Sequence, residues 1–121
     1  MTTVEQLSPT RPGSPRVRTG RETPLSPSAA ALLQPVREIM CEPTRTQIVR
    51  ALSAGPLSVG DLAAILGRSK SATSQHLRVL RERGVVHARR RGRAVIYSLV
   101  ETPMVSATVQ VLDRAASISL A

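Results

Sequence analysis

The sequence predicts a mainly α-helical domain carrying one two-stranded β-hairpin, and three observations predict it. Hydrophobic residues recur at helical spacing in five successive stretches between Leu32 and Ile118, most of them opened by a capping residue or a proline. The period switches once, to the alternation of strands, on either side of "RRGR" at residues 90–93. Hydrophobic residues make up 41% of the 121, yet Tyr97 is the only aromatic, so the core must be built from Leu, Val, Ile and Ala. A chain of this size makes one domain.

Residues 1–27 hold five of the nine prolines and four arginines without hydrophobic periodicity. They are expected to form a disordered, basic Pro/Arg-rich arm, serving as a spacer or as a supplementary phosphate or minor-groove contact. Residues 28–121 are expected to form the folded domain. Ser26-Pro27 supplies an N-cap and an N1 proline for a first helix with Leu32, Val36 and Ile39 on one side, which Pro35 should bend. Pro43 opens a second helix with Ile48, Val49 and Leu52 inward, and Gly55 ends it.

"SVGD" at 58–61 resembles a capping box with Asp in place of Glu. It starts a short third helix with Leu62, Ile65 and Leu66 inward, closed by Gly67. Ser69 caps a fourth helix that runs to Gly84, with Thr73, Leu77 and Leu80 toward the core. Val86 and Ala88, then Val95, Tyr97 and Leu99, alternate through the hairpin strands. Thr102-Pro103 begins a last helix with Val105, Val109, Leu112 and Ala116 on one stripe. Met104, Thr108, Val111, Ala115 and Ile118 widen that stripe beyond what one small domain covers, which predicts self-association.

Helix, short helix, tight turn, helix and basic hairpin together spell a winged helix-turn-helix. The charge agrees. Nine cations lie between Arg68 and Arg93 against Glu82 alone, leaving +8 of the chain's formal +9 in 26 residues. Such a block faces a polyanion. The fourth helix opens with hydroxyls and an amide that let a backbone approach a groove closely. Ser71 and Ser74 suit phosphate or base edges, Gln75 suits adenine N6/N7, Lys70 suits guanine O6/N7, and Arg78 continues the same side. Arg89, Arg90, Arg91 and Arg93 on the hairpin suit phosphates or the adjacent minor groove. His76, beside Leu77 and Leu80, is expected to be a structural hydrogen-bonding residue, and His87 a plain surface residue.

Residues 42–99 resemble the ArsR/SmtB family of small bacterial repressors. "EPTRTQIVRAL" is similar to its proline-threonine-arginine helix opening, "LSVGDLAAILGRSKSATSQHLRVLRERGVV" to its helix-turn-helix, and "RRRGRAVIYSL" to its wing. The resemblance implies a homodimer built on the first and last helices. That dimer would sit on a near-palindromic double-stranded operator and repress transcription until an inducer loosens it. It also implies that Lys70, Ser71, Ser74 and Gln75 occupy the family's base-reading and phosphate-contacting positions.

The sequence departs from the family's metal sensors. Where many members carry a Cys-x-Cys pair at the start of the third helix, this chain has Ser58 and Gly60, and neither supplies the thiolate a soft metal needs. Ser58 reads as an ordinary cap and Gly60 as a close-packing glycine. The last helix offers Asp113, with Glu101 just before it, but no histidine, so no metal site is expected. Cys41 remains, the single cysteine. The plainer expectation is a small buried hydrophobe beside Met40. The sharper one is a thiol sensor of oxidants, electrophiles or a thiophilic metal, with Arg37 and Arg45 close in sequence to favour the thiolate.

Enzymatic classes find no support, since there is no Ser-His-Asp order, no phosphate-binding glycine loop and no metal-ligand cluster. The alternatives to an inducible repressor are a regulator with no small-molecule inducer and a winged-helix protein-interaction module. No apolar run approaches the roughly 18 residues of a membrane span. Residues 1–30 lack a signal-peptide core, and a lone cysteine suits a reducing compartment. A soluble, cytoplasmic chain is expected.

Overall fold

The computed structural model of the chain describes residues 24–119, so most of the expected N-terminal arm lies outside the described residues. Six helices and three strands follow in order: α1 (Pro27–Leu32), α2 (Gln34–Met40), α3 (Pro43–Leu52), β1 (Leu57–Ser58), α4 (Val59–Leu66), α5 (Lys70–Glu82), β2 (Val86–Arg91), β3 (Ala94–Leu99) and α6 (Pro103–Ser119).

The helix starts follow from side-chain caps. Ser26, Ser58 and Ser69 each accept the N–H three residues on, from Ala29, Asp61 and Ala72, at 3.0–3.1 Å. Glu42 accepts from Thr44 at 2.8 Å and Thr102 from Val105 at 3.2 Å. Helix α1 starts at Pro27 with Ser26 as its N-cap.

Three expectations are corrected. The first helix is two helices that meet at Leu33, with Pro35 in the first turn of α2, because a proline there removes the N–H that would continue α1. Within it Ile39 is buried but Leu32 is exposed, and no residue of α1 reaches the core. The hairpin β2–β3 is present, but β1 adds a third strand, giving the order β1-β3-β2. Two residues are too few to show a period, so Leu57–Ser58 left no strand signal. On α4, Ile65 is 61% exposed rather than inward. The helix turns Leu62, Ala63 and, in part, Leu66 to the core, and small Ala63 lets α4 pack closely.

The core joins every layer. Ile39 from α2, Ile48, Val49 and Leu52 from α3, Leu62 from α4 and Leu77 and Leu80 from α5 meet Val85, Val86 and, from α6, Val105. Thr73 is fully buried as expected, its hydroxyl donating to the Ser69 carbonyl at 2.8 Å. A buried hydroxyl bonded within its own helix carries no desolvation penalty, so Thr73 anchors the first turn of α5 without a cost.

Candidate nucleic-acid interface

The α4–α5 turn is tight because Gly67 takes the left-handed conformation, φ 65°, and Arg68 N–H returns to the Ala63 carbonyl at 3.0 Å. Ser69 then restarts the helix. On α5 the buried residues Thr73, Leu77 and Leu80 define one side. At 100° per residue, Ser71, Gln75, Arg78 and Glu82 point directly away from it, while Lys70, Ser74 and Arg81 form one flank. All seven are exposed. The predicted reading residues therefore share one continuous surface of α5, and the sequence reading overlooked Arg81, whose spacing of seven from Ser74 was the available signal.

Two members of this surface are already engaged. Arg78 Nε lies 3.4 Å from Glu82 Oε2 one turn on, with both side chains mostly in solvent. Such a pair is worth only about 0.3–0.5 kcal/mol, so it orients Arg78 without sequestering it. Lys70 leans back over α4, its Cε 3.5 Å from where a Cβ on Gly60 would stand. Ser58 is a helix cap, as expected, but Gly60 is not close-packed: a Cβ there would meet only the Lys70 stem and the Ser58 hydroxyl, at ordinary contact distances of 3.5–3.8 Å.

The hairpin sorts its arginines by register. Val86↔Leu99, Ala88↔Tyr97 and Arg90↔Val95 place Arg90 on the same face as core-packed Tyr97 and Leu99. His87, Arg89 and Arg91 line the opposite face, and Arg93 sits in the two-residue tip after Gly92, which has φ 63°. His87 is exposed, as expected. Arg78, Arg81 and Glu82 of α5 share a cleft with Tyr97 of β3. Helix and hairpin therefore adjoin through the face that bears Arg90.

His76, half-buried, points the other way. Its Nε2 lies 3.5 Å from Glu42 Oε1, the same oxygen that caps α3. Burial pushes the Glu42 carboxyl up, but the Thr44 hydrogen bonds and the His76 charge outweigh it. The group is left below the ordinary carboxylate value of 4.5. His76 thus faces a carboxylate at ion-pair distance and not the hydrogen bond expected of it.

Cys41 is exposed, which overturns its expected burial. It ends α2, where a C-cap side chain faces outward. Its Sγ is 3.6 Å from the Glu38 carbonyl and 3.7 Å from Arg45 Nη1. Asp113 pairs with Arg50 at 3.3 Å, and no group of three or more His, Cys, Asp or Glu side chains converges among the described residues. Sequence reasoning also missed a charged cluster. Glu38 holds Arg45 at 2.9 Å through Oε1 and Arg83 at 3.2 Å through Oε2.

The family model described as bacterial regulatory protein, arsR family, matches residues 42–88. The HTH-type transcriptional regulator NmtR of Mycobacterium tuberculosis is 41% identical over 92 residues, spanning 76% of this chain and 73% of the relative. The transcriptional repressor BigR of Xylella fastidiosa superposes with a TM-score of 0.64 at 30% identity, over 75% of this chain and 89% of its own. The homodimeric winged helix-turn-helix DNA-binding domain of Mb0332 from Mycobacterium bovis gives 0.62 at 27% identity, over 76% and 88%.

Fold and relatives together define a winged helix-turn-helix regulator rather than an enzyme. The chain belongs to the arsR family of bacterial regulatory proteins and is a transcriptional regulator of that family.

Proposed function

We propose that the chain is a homodimeric DNA-binding repressor that occupies a near-palindromic operator. The observation that carries this reading is the exposed row Ser71–Gln75–Arg78, flanked by Lys70 and Ser74, adjoining a hairpin that bears four arginines. In this reading Gln75 and Lys70 read base edges, Ser71 and Ser74 bond phosphate or bases, and Arg78 contacts the backbone. Arg89, Arg90, Arg91 and Arg93 hold phosphates or the neighbouring minor groove. A-form RNA is disfavoured because its deep groove does not admit such a helix.

Self-association is supported by uncovered apolar surface. Val111 and Ile118, 53% and 65% exposed, share one flank of α6 with Met104, Ala107 and Ala115, and Leu32, Leu33 and Met40 are exposed on α1 and α2. Pairing through the first and last helices covers both and gives the two-fold that a palindrome mirrors. The Mb0332 domain, itself homodimeric, supports a dimer. No described helix is long and apolar enough to cross a membrane, and the cytoplasm is the compartment where such a regulator meets its operator.

The chain carries Ser58 and Gly60 in place of the Cys-x-Cys pair, so soft-metal sensing through that motif is not proposed. If an inducer exists, Cys41 is the group for it, as an exposed thiol open to oxidants, electrophiles or a thiophilic metal. Cys41→Ser should then abolish inducer-dependent release while leaving operator affinity unchanged. Unchanged release would leave a regulator with no sensor at this position.

The function itself is tested by titrating the purified chain against duplexes recovered from a randomised pool. A dimer contacting about 6–10 phosphates loses about 10³–10⁵ in affinity between about 50 and 200 mM salt. The recovered sites should contain inverted half-sites about one helical turn apart or a multiple of it. A winged-helix module that binds proteins would recover neither pattern.

A further inference from the structure

We infer that Glu38 is a positioning residue for DNA recognition: its carboxylate clamps α2 to both α3 and the end of α5 and so fixes the angle at which α5 is presented. The inference rests on the DNA-binding reading above.

The clamp is built from both oxygens of one side chain. Oε1 accepts from Arg45 Nη1 at 2.9 Å, and Oε2 lies 3.2 Å from Nε of Arg83, the residue that caps the C-terminus of α5. Arg45 Nη1 also donates to the Glu38 carbonyl at 3.2 Å. The Glu38 side chain is 19% exposed and that of Arg45 16%, so the link to α3 is sheltered, whereas Arg83 is 45% exposed and the link to α5 is held from the Glu38 side. A carboxylate in that setting is held by partners or it destabilises the fold.

What α2 touches on its other flank gives the clamp its consequence. Met40 and Leu33, exposed, lie roughly opposite Glu38 around the helix, on the side the proposed partner subunit covers. One helix therefore meets the dimer interface on one flank and α5 on the other, with Glu38 as the ionic link. Helix α5, 13 residues, is about 20 Å long. A tilt of about 5° pivoting at Arg83 swings the Ser71 end by more than about 1 Å, enough to spoil a bidentate base contact that tolerates about 0.5 Å.

Charge alone predicts the opposite outcome for one substitution, which makes the inference testable. Glu38→Gln removes a negative charge from a basic protein, so bulk electrostatics would tighten binding to every duplex. If Glu38 positions α5, affinity for a duplex recovered by the wild-type chain from a randomised pool should instead fall about 3- to 30-fold. Affinity for a scrambled duplex of equal length should hold or rise, and the dimer should stay intact by sedimentation. Glu38→Asp leaves the net charge unchanged and is too short to span both arginines, so it should lower the same ratio, and it carries the test should Glu38→Gln not melt cooperatively. Variants that keep the wild-type ratio, or that lose both duplexes in parallel with a drop in Tm, would overturn the inference alone. A wild-type chain unable to separate the two duplexes would overturn the DNA reading beneath it.

Discussion

Thr73 and Gln75 stand two positions apart on α5 and face opposite ways, one sealed in the core and one in solvent. Neither side chain could exchange places. Thr73 satisfies its hydroxyl on the Ser69 carbonyl, whereas a buried Gln amide would need several partners the core lacks. Gln75→Ala should therefore leave stability unchanged but relax preference at one base pair, by about 1–3 kcal/mol of discrimination in a selection experiment. Arg91→Ala should instead weaken every duplex to a similar degree, as loss of a phosphate contact does. Uniform loss in both variants would count against base reading by Gln75. Glu42 offers a pH test of the α3 cap, which Thr44 supports first and His76 second. Its folded carboxyl titrates below 4.5, so the unfolded chain binds the proton first as pH falls, and stability declines from about pH 4.5 downward through the folded value. Glu42→Gln should flatten that acid limb in urea melts taken at successive pH values.

At the scale of elements, the helices were legible because caps and prolines punctuate them. Ser26, Ser58, Ser69 and Thr102 all cap where sequence placed them, and Gly67 and Gly92 supply the positive φ their turns require. The hairpin was legible from its alternation. What escaped was set by tertiary contact. The pairing of Leu57 with Tyr97 spans forty residues of chain, the rotation of α4 that exposes Ile65 depends on Ala63 packing, and Arg83 meets Glu38 only in the fold. Cys41 was misplaced because hydrophobicity argues for burial, while the end of α2 faces outward. That Lys70, Ser71, Ser74, Gln75 and Arg78 share the exposed side of α5 was legible from helical spacing, whereas Arg81 and Glu82 on the same side were not singled out, and the separation of Arg90 from Arg89 and Arg91 needed the register. Leu77 and Leu80 bolt α5 to the scaffold, both fully buried. Leu77→Ala should cost about 2–5 kcal/mol in denaturant titration, and binding should fall only as far as the folded fraction does.

Across the described residues a small aliphatic core carries most of its exposed large apolar side chains on α1, α2 and α6, Ile65 of α4 apart, and its positive charge on α5 and the hairpin. That division matches the partners of the proposed function: a second copy at α1, α2 and α6, and duplex DNA at α5 and the hairpin. Ile118→Asp or Val111→Asp, each on the exposed flank of α6, should shift sedimentation toward monomer without lowering helix content. Affinity for a two-half-site duplex should then drop far more than affinity for a single half-site, because linked binding is lost. The most direct measurement is a hydroxyl-radical footprint of the full chain on a duplex it selects. The expected result is two protected patches about one helical turn apart, or a multiple of it, each flanked by a minor-groove protection that disappears when Arg89, Arg90, Arg91 and Arg93 are all replaced by alanine. Protection that is absent, or that survives loss of all four arginines, would contradict the convergence of helix and hairpin on one duplex.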